Sequence, residues 1–237
     1  MKNAWSGCLV NGISLPQAAI ITGFAYLLNP VTFAEFYAMP QLAVSSGTQT
    51  VANIAAHPYL FSAAVLCYFF SLLGDVVIAW ALYVLLAPVN LALSLLASWL
   101  QLTYAVISLA AVSNLGLLYR LVVLPEYRER VTAAALPDQA ELLVGAFRSG
   151  WLLALILFGL HLVVVGLLSA HSSYLPGWLG WLLAADGFAW VVKELSVYLF
   201  PNAPLGFLNV FFLGELVFMV WLLGWGWRIK GPQSLHG

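Results

Sequence analysis

Asp75, His161, Asp186 and Glu215, together with the amide of Gln101, fall inside long apolar runs, where hydrocarbon would reject them unless protein surrounds them. A carboxylate near the centre of a membrane helix costs about 2.5–3.5 kcal/mol on insertion scales, so each acid must be paired, protonated or turned toward a polar cavity. Cys67, Ser71 and Asp75 recur at four-residue spacing and so share one helix face. Ser94, Gln101 and Ser108 recur at seven-residue spacing, the period that keeps side chains on a helix–helix seam. There each interhelical hydrogen bond is worth ~0.6 kcal/mol. Glu215 follows Gly214, whose missing side chain admits a close neighbour, and His161 lies between Gly159 and Gly166.

The deep set thus holds acids and one imidazole, with no Lys or Arg at the same depth. Two neighbouring carboxylates do not readily both ionise, which points to a site for a proton, a cation or a polar headgroup around Asp75, His161, Glu215 and Gln101. The plainer alternative is a protonated acid donating to a backbone carbonyl or to Gln101. No metal is expected, because a catalytic metal asks for about three protein ligands. His57 and His171 fall near opposite helix boundaries and His236 in the tail, leaving Asp75, His161 and Glu215 as the remaining mixed combination. No Gly-rich phosphate loop or serine nucleophile motif is present. Nearer the surface, Glu35, Arg148, Lys193 and Glu194 fall on one side by helix count and form a polar rim, with snorkelling to the interface as the simpler account. Asp186, Trp190 and Lys193 share a helix face, which allows a cation–π contact.

Six helices must position these groups. A bilayer core of ~30 Å needs about 20 apolar residues per helix, and the qualifying runs are roughly 16–39, 58–87, 91–123, 138–169, 178–199 and 205–227. Pro16 suits a first turn, whereas Pro30 removes a backbone hydrogen bond and predicts a kink. Residues 40–57 make a polar, uncharged connection with a short interfacial helix near 51–56. Pro88-Val89-Asn90 is a tight turn, and the hydrophilic stretch 125–130 a solvated loop. Trp178, Trp181, Trp225 and Trp227 cluster near span ends, as interfacial anchors do. A transmembrane barrel is excluded, since its strands alternate over about ten residues and these runs are apolar all round. The expectation is an all-α, polytopic bundle forming one membrane domain over 1–237.

Composition agrees. The chain is 63% hydrophobic and 7% charged, against roughly 45–50% and about 25% in soluble domains. The lipid bilayer is its expected partner. A net charge of −1 leaves no basic footprint for nucleic acid. Cys8 and Cys67 suggest neither a disulfide framework nor a zinc site. Too few residues precede Ser6-Gly7-Cys8 for a lipoprotein signal, and a removed signal peptide is disfavoured for the same reason. An even helix number places both termini on one side. The charges do not choose it: Lys2, Arg228 and Lys230 stand against Arg120, Arg128 and Arg130.

The chain resembles the bacterial membrane-protein family of the domain of unknown function 4386, from about residue 18 to 227. The resemblance rests on Gly23-Phe24-Ala25-Tyr26-Leu27-Leu28, Gly74-Asp75, Leu82-Tyr83-Val84-Leu85-Leu86, Pro88-Val89-Asn90, Phe158-Gly159-Leu160-His161 with Gly166, Tyr174-Leu175-Pro176, Phe200-Pro201 and Gly214-Glu215. It implies a six-helix protein of the bacterial inner membrane with cytoplasmic termini, Asp75, His161 and Glu215 at characteristic positions, and no established activity. The family pattern is more basic at the second and fourth connections than Ala87-Pro88-Val89-Asn90 and His171-Ser172-Ser173 are here. Lys193-Glu194 also departs from the acid and small polar residue expected there.

Three functional classes follow. The leading one is a non-enzymatic bundle that binds a small ligand, ion or lipid at the polar intramembrane site, with transport as its extension. An accessory subunit of a larger membrane complex would account for the sparse loop chemistry and the 14% aromatic content. An intramembrane hydrolase or lipid-modifying enzyme would require the acids and His161 to converge on a water-filled cavity. No cofactor is indicated.

Overall fold

The computed structural model describes residues 12–200, 203–205, 207–208 and 213–230. Cys8, Lys2, Pro201, Asn202 and His236 lie outside the described residues. Among those described, the secondary structure is helical, with no strand.

Helix α1 (Leu15–Leu27) begins in a capping box: the Ser14 hydroxyl accepts from the Gln17 N–H at 3.4 Å, and Gln17 Oε1 accepts from the Ser14 N–H at 2.8 Å. The expected kink at Pro30 is a full interruption. α1 stops at Leu27, and helix resumes at Val31, whose N–H donates to Asn29 Oδ1 at 3.1 Å. Pro30 has no N–H to carry the helix forward, and the Asn29 side chain takes the donor that follows. The resumed stretch widens into a π-turn over Ala34–Ala38 before closing as Met39–Leu42. Pro40 explains the widening, because its ring would collide with the Phe36 carbonyl in a regular α-turn. The Gln41 side chain donates instead to the Tyr37 carbonyl at 2.6 Å.

The polar connection is more ordered than expected. Ser46 caps helix α2 (Gly47–Ala56), which starts four residues before the anticipated 51–56. Thr50 donates to the Val44 carbonyl at 3.2 Å and Asn53 to the Gln41 carbonyl at 2.9 Å, so the polar residues of this segment fasten it to itself. Three long helices follow: α3 (Pro58–Leu86), α4 (Leu91–Val123) and α5 (Leu136–Ala170). Asn90 Oδ1 accepts the Leu93 N–H at 3.0 Å and so caps α4. The hydrophilic 125–130 stretch contains one helical turn, Pro125–Arg128. Helices α6 (Gly177–Leu199) and α7 (Gly214–Trp225) complete the set.

Four helical stretches among the described residues are long and apolar enough to cross a membrane: Leu15–Leu42, Pro58–Leu86, Leu91–Val123 and Leu136–Ala170. The other two expected spans fall where α6, 23 residues long with Asp186, Lys193 and Glu194, and α7, 12 residues long, lie, and neither is among those four.

The chain divides into two compact units. Unit one comprises Met1–Leu28, Gly74–Tyr104 and Leu155–Gly237; unit two comprises Asn29–Leu73 and Ala105–Ala154. In unit one, α1 packs on α7 and α7 on α6. A Cβ on Gly23 would stand 2.8 Å from the Leu223 side chain, so this glycine sets how closely α1 and α7 approach. Helices α5 and α6 meet through facing glycines, Gly159 and Gly166 on one and Gly180 and Gly187 on the other. A Cβ on Gly159 would lie 2.7 Å from the Gly187 carbonyl oxygen, and one on Gly187 2.5 Å from that of Gly159. Backbones pack directly on each other there, as small residues permit in membrane helices.

Candidate functional site: an acid cluster in unit one

The polar face of α4 lies along α3 as a ladder. Ser94 donates to the Tyr83 carbonyl at 2.9 Å, Ser98 to the Ala79 carbonyl at 3.1 Å, and Gln101 Nε2 to Asp75 Oδ1 at 3.2 Å. Each rung lies one helical turn from the next on α3, and the seven-residue pattern passes over Ser98, the middle rung. Asp75 and Gln101 are both buried. The Gln101 amide suits either protonation state of its partner: it donates to a carboxylate, and after turning over it accepts from a carboxylic acid.

Asp186, fully buried on α6, serves the start of α7. Its Oδ2 accepts the Glu215 N–H at 3.0 Å, so a carboxyl occupies the helix N-terminus where unsatisfied N–H groups and the helix dipole favour it. Gly214 makes this approach possible, since a Cβ there would stand 2.7 Å from Asp186 Oδ2. The close neighbour admitted by that glycine is the second acid. The Trp190 indole N–H, one turn along α6, approaches the same carboxyl.

Glu215 lies within electrostatic reach of both Asp186 and Asp75. The buried Tyr26 hydroxyl, from the last turn of α1, approaches the Glu215 carboxyl without closing a hydrogen bond, and feels Asp75 and Asp186 as well. Asp186 on α6 thus adjoins Glu215 on α7, and Asp75 on α3 acts on Glu215 through its field. Among the groups that act on these acids are the Tyr26 phenol, the Gln101 amide, the Trp190 indole and the Glu215 N–H. No three His, Cys, Asp or Glu side chains among the described residues come close enough to hold a metal ion together.

His161 is held apart from direct contact with the acids. Its Nδ1 lies 2.8 Å from the Ala97 carbonyl, and because a carbonyl only accepts, Nδ1 carries the proton. Nε2 is then a buried lone pair with no partner among the described residues. Ala97 and Gln101 are one turn apart on the same face of α4, so His161 abuts the ladder near its Asp75 end. Phe158 stacks on the imidazole and meets Trp190 at 6.1 Å between centroids. The glycine seam fixes this arrangement, with Gly187 next to Asp186 and Gly159 two residues before His161.

The four rim residues divide between the units. In unit one the Lys193 ammonium lies 5.5 Å from the centre of the Trp190 ring and attracts Glu194. In unit two Glu35 faces Tyr68 and lies in the field of Arg148. Two members of the cluster, Tyr26 and Asp186, fall outside the binding set that the sequence suggests. Asp186 carries a signal, being an acid in an apolar run; Tyr26 carries none beyond an aromatic near a helix end.

The chain is 30% identical over 165 residues to an uncharacterized protein of Archaeoglobus fulgidus, covering 70% of this chain and 82% of that one. No solved structure matches it. A family model described as a domain of unknown function (DUF4386) matches residues 21–226, which contain Tyr26, Asp75, Gln101, His161, Asp186 and Glu215 together. The chain belongs to that family.

Proposed function

We propose that this is a six-span integral membrane protein that binds a cation, or protons in its place, at the adjoining Asp186 and Glu215, with Asp75 acting on Glu215 through its field. The carrying observation is that Asp186 adjoins the Glu215 backbone at the start of α7 and that Asp75, from a third helix, lies within electrostatic reach of Glu215. Carboxylates in such a setting repel one another, and a bound proton or cation removes the repulsion. Gln101 and Tyr26 suit a site that changes its protonation, since an amide and a phenol each pair with either form of an acid. Exchange of the cation against protons across the bilayer is the transport this site would perform. The protein would lie in the bacterial inner membrane with both termini on the cytoplasmic side, as the even span number and the family resemblance support.

The test is thermal unfolding of the purified full-length protein against sodium, potassium and methylammonium, between about pH 5 and pH 8. The wild type should gain stability with one of these cations, by about 2.7 kcal/mol at a hundredfold excess over the dissociation constant. That gain should weaken toward acid pH, where protons compete. Asp75→Asn with Glu215→Gln should abolish it. A wild type indifferent to every cation and to pH, or a double variant that responds as the wild type does, overturns the reading.

A further inference from the structure

Unit two holds a second polar constellation, independent of the acids of unit one. Glu35 sits half-buried in the widened turn Ala34–Ala38, a form of helix frequent at functional sites. The Tyr68 ring is fully buried, fixed by Trp151 at 5.0 Å and Phe147 at 5.3 Å between centroids. Its hydroxyl approaches the Glu35 carboxyl but closes no hydrogen bond. Arg148 donates from Nη2 to the Ala43 carbonyl at 2.9 Å, at the end of the Met39–Leu42 turn. A guanidinium has five N–H donors in a rigid fork, so anchoring one arm orients the others. Arg148 attracts Glu35 through its field. Arg148 itself is exposed, and an added Cβ at Gly145, one turn before it, would meet nothing within 4 Å.

An acid and a guanidinium that act on each other through their fields can each take a further partner of opposite sign. We infer that unit two binds a small zwitterion carrying a phosphate and a primary ammonium, with the phosphate on Arg148 and the ammonium between Glu35 and the Tyr68 hydroxyl. Such a ligand satisfies both charges while adding no net charge to an apolar setting, and guanidinium forks match phosphate geometry. The same chemistry occurs in an aminophospholipid headgroup and in a free ethanolamine phosphate ester. The exposed rings of Phe36 and Tyr37 beside Glu35 offer apolar surface to the chains of the former.

The test offers the purified full-length protein four probes: phosphatidylethanolamine and phosphatidylglycerol in mixed micelles, read by native mass spectrometry, and their soluble glycerophosphodiesters, read by saturation-transfer NMR. The wild type should retain the ethanolamine lipid over the glycerol lipid. Glu35→Gln should erase that preference while leaving the glycerol lipid bound, and Arg148→Gln should weaken both by about tenfold or more. Tyr68→Phe should lower the ethanolamine preference several-fold, and Arg148→Lys, which keeps the charge, should fall between wild type and Arg148→Gln. Equal binding of the soluble ethanolamine ester identifies a free phosphate ester as the ligand; retention of the lipid alone identifies the headgroup. If Arg148→Gln does not fold, Glu35→Gln and Tyr68→Phe carry the decision. A wild type without ethanolamine preference, or foldable variants all matching it, overturns the site.

Discussion

Each unit sets a buried tyrosine hydroxyl against a glutamate: Tyr26 against Glu215 in unit one, Tyr68 against Glu35 in unit two. The pairs are chemically alike and their surroundings are not. Two more acids, Asp75 and Asp186, act on the first pair, whereas Arg148 acts on the second. A phenol–carboxyl pair therefore does not define a ligand; the charges around it do. Uncompensated acids call for a cation or protons, and an acid near a guanidinium calls for a molecule bearing both signs.

The sharpest way to break this contrast is to exchange the readouts. Cation-dependent stabilisation should vanish in Asp75→Asn with Glu215→Gln and survive in Arg148→Gln, a difference of about 2.7 kcal/mol at a hundredfold excess of cation. Loss of the cation response in the Arg148 variant would end the separation of roles. Next in size, Gly166→Val should cost about 1–3 kcal/mol in detergent unfolding, because a Cβ at this position would run into the Ala184 backbone. It should also weaken the cation response, since the same seam places Asp186 and His161. Asp186→Ala should cost about 1 kcal/mol as the start of α7 loses its cap.

Smaller still is Tyr174→Phe. Tyr174 lies between α5 and α6 and donates to the Leu85 carbonyl at 2.5 Å, a bond worth about 0.5–1.5 kcal/mol. Burial pushes its phenol up to about 12. Its folded-state value stands above the unfolded value of about 10, so its contribution is complete below about pH 10 and is lost as pH rises toward about 12. Alkaline unfolding of Tyr174→Phe should lack that component, and cation binding should be unchanged. A changed cation response would extend the unit-one site to this connection.

Much of the scaffold is legible in the sequence. The limits of α4 coincide with the expected 91–123 because Pro88 and Asn90 mark its start and Pro125 its end. Pro30 signals a disruption, but nothing in the residue order shows that Asn29 takes the next N–H and turns a kink into a break. Asp75 and Gln101 are legible as a buried acid and a seam amide, each on a known helix face. Tyr26 is not, because a tyrosine at a helix end reads as an interfacial anchor whichever way its hydroxyl turns. The role of Asp186 is hidden for another reason: it lies 29 residues from its hydrogen-bond partner Glu215.

By itself the sequence determined that the chain is helical and suited to lipid, because run length, apolar content and the punctuation of Pro, Ser and Asn are local properties that each segment carries with it. Helical periodicity also determined which residues share a face on any one helix. Which faces meet was decided by tertiary structure alone. Direct backbone contact of Gly159 and Gly166 with Gly180 and Gly187, and the space left at Gly214, bring Asp186 onto Glu215. Such contacts join positions distant along the chain, and no local pattern records which small residue will receive which neighbour.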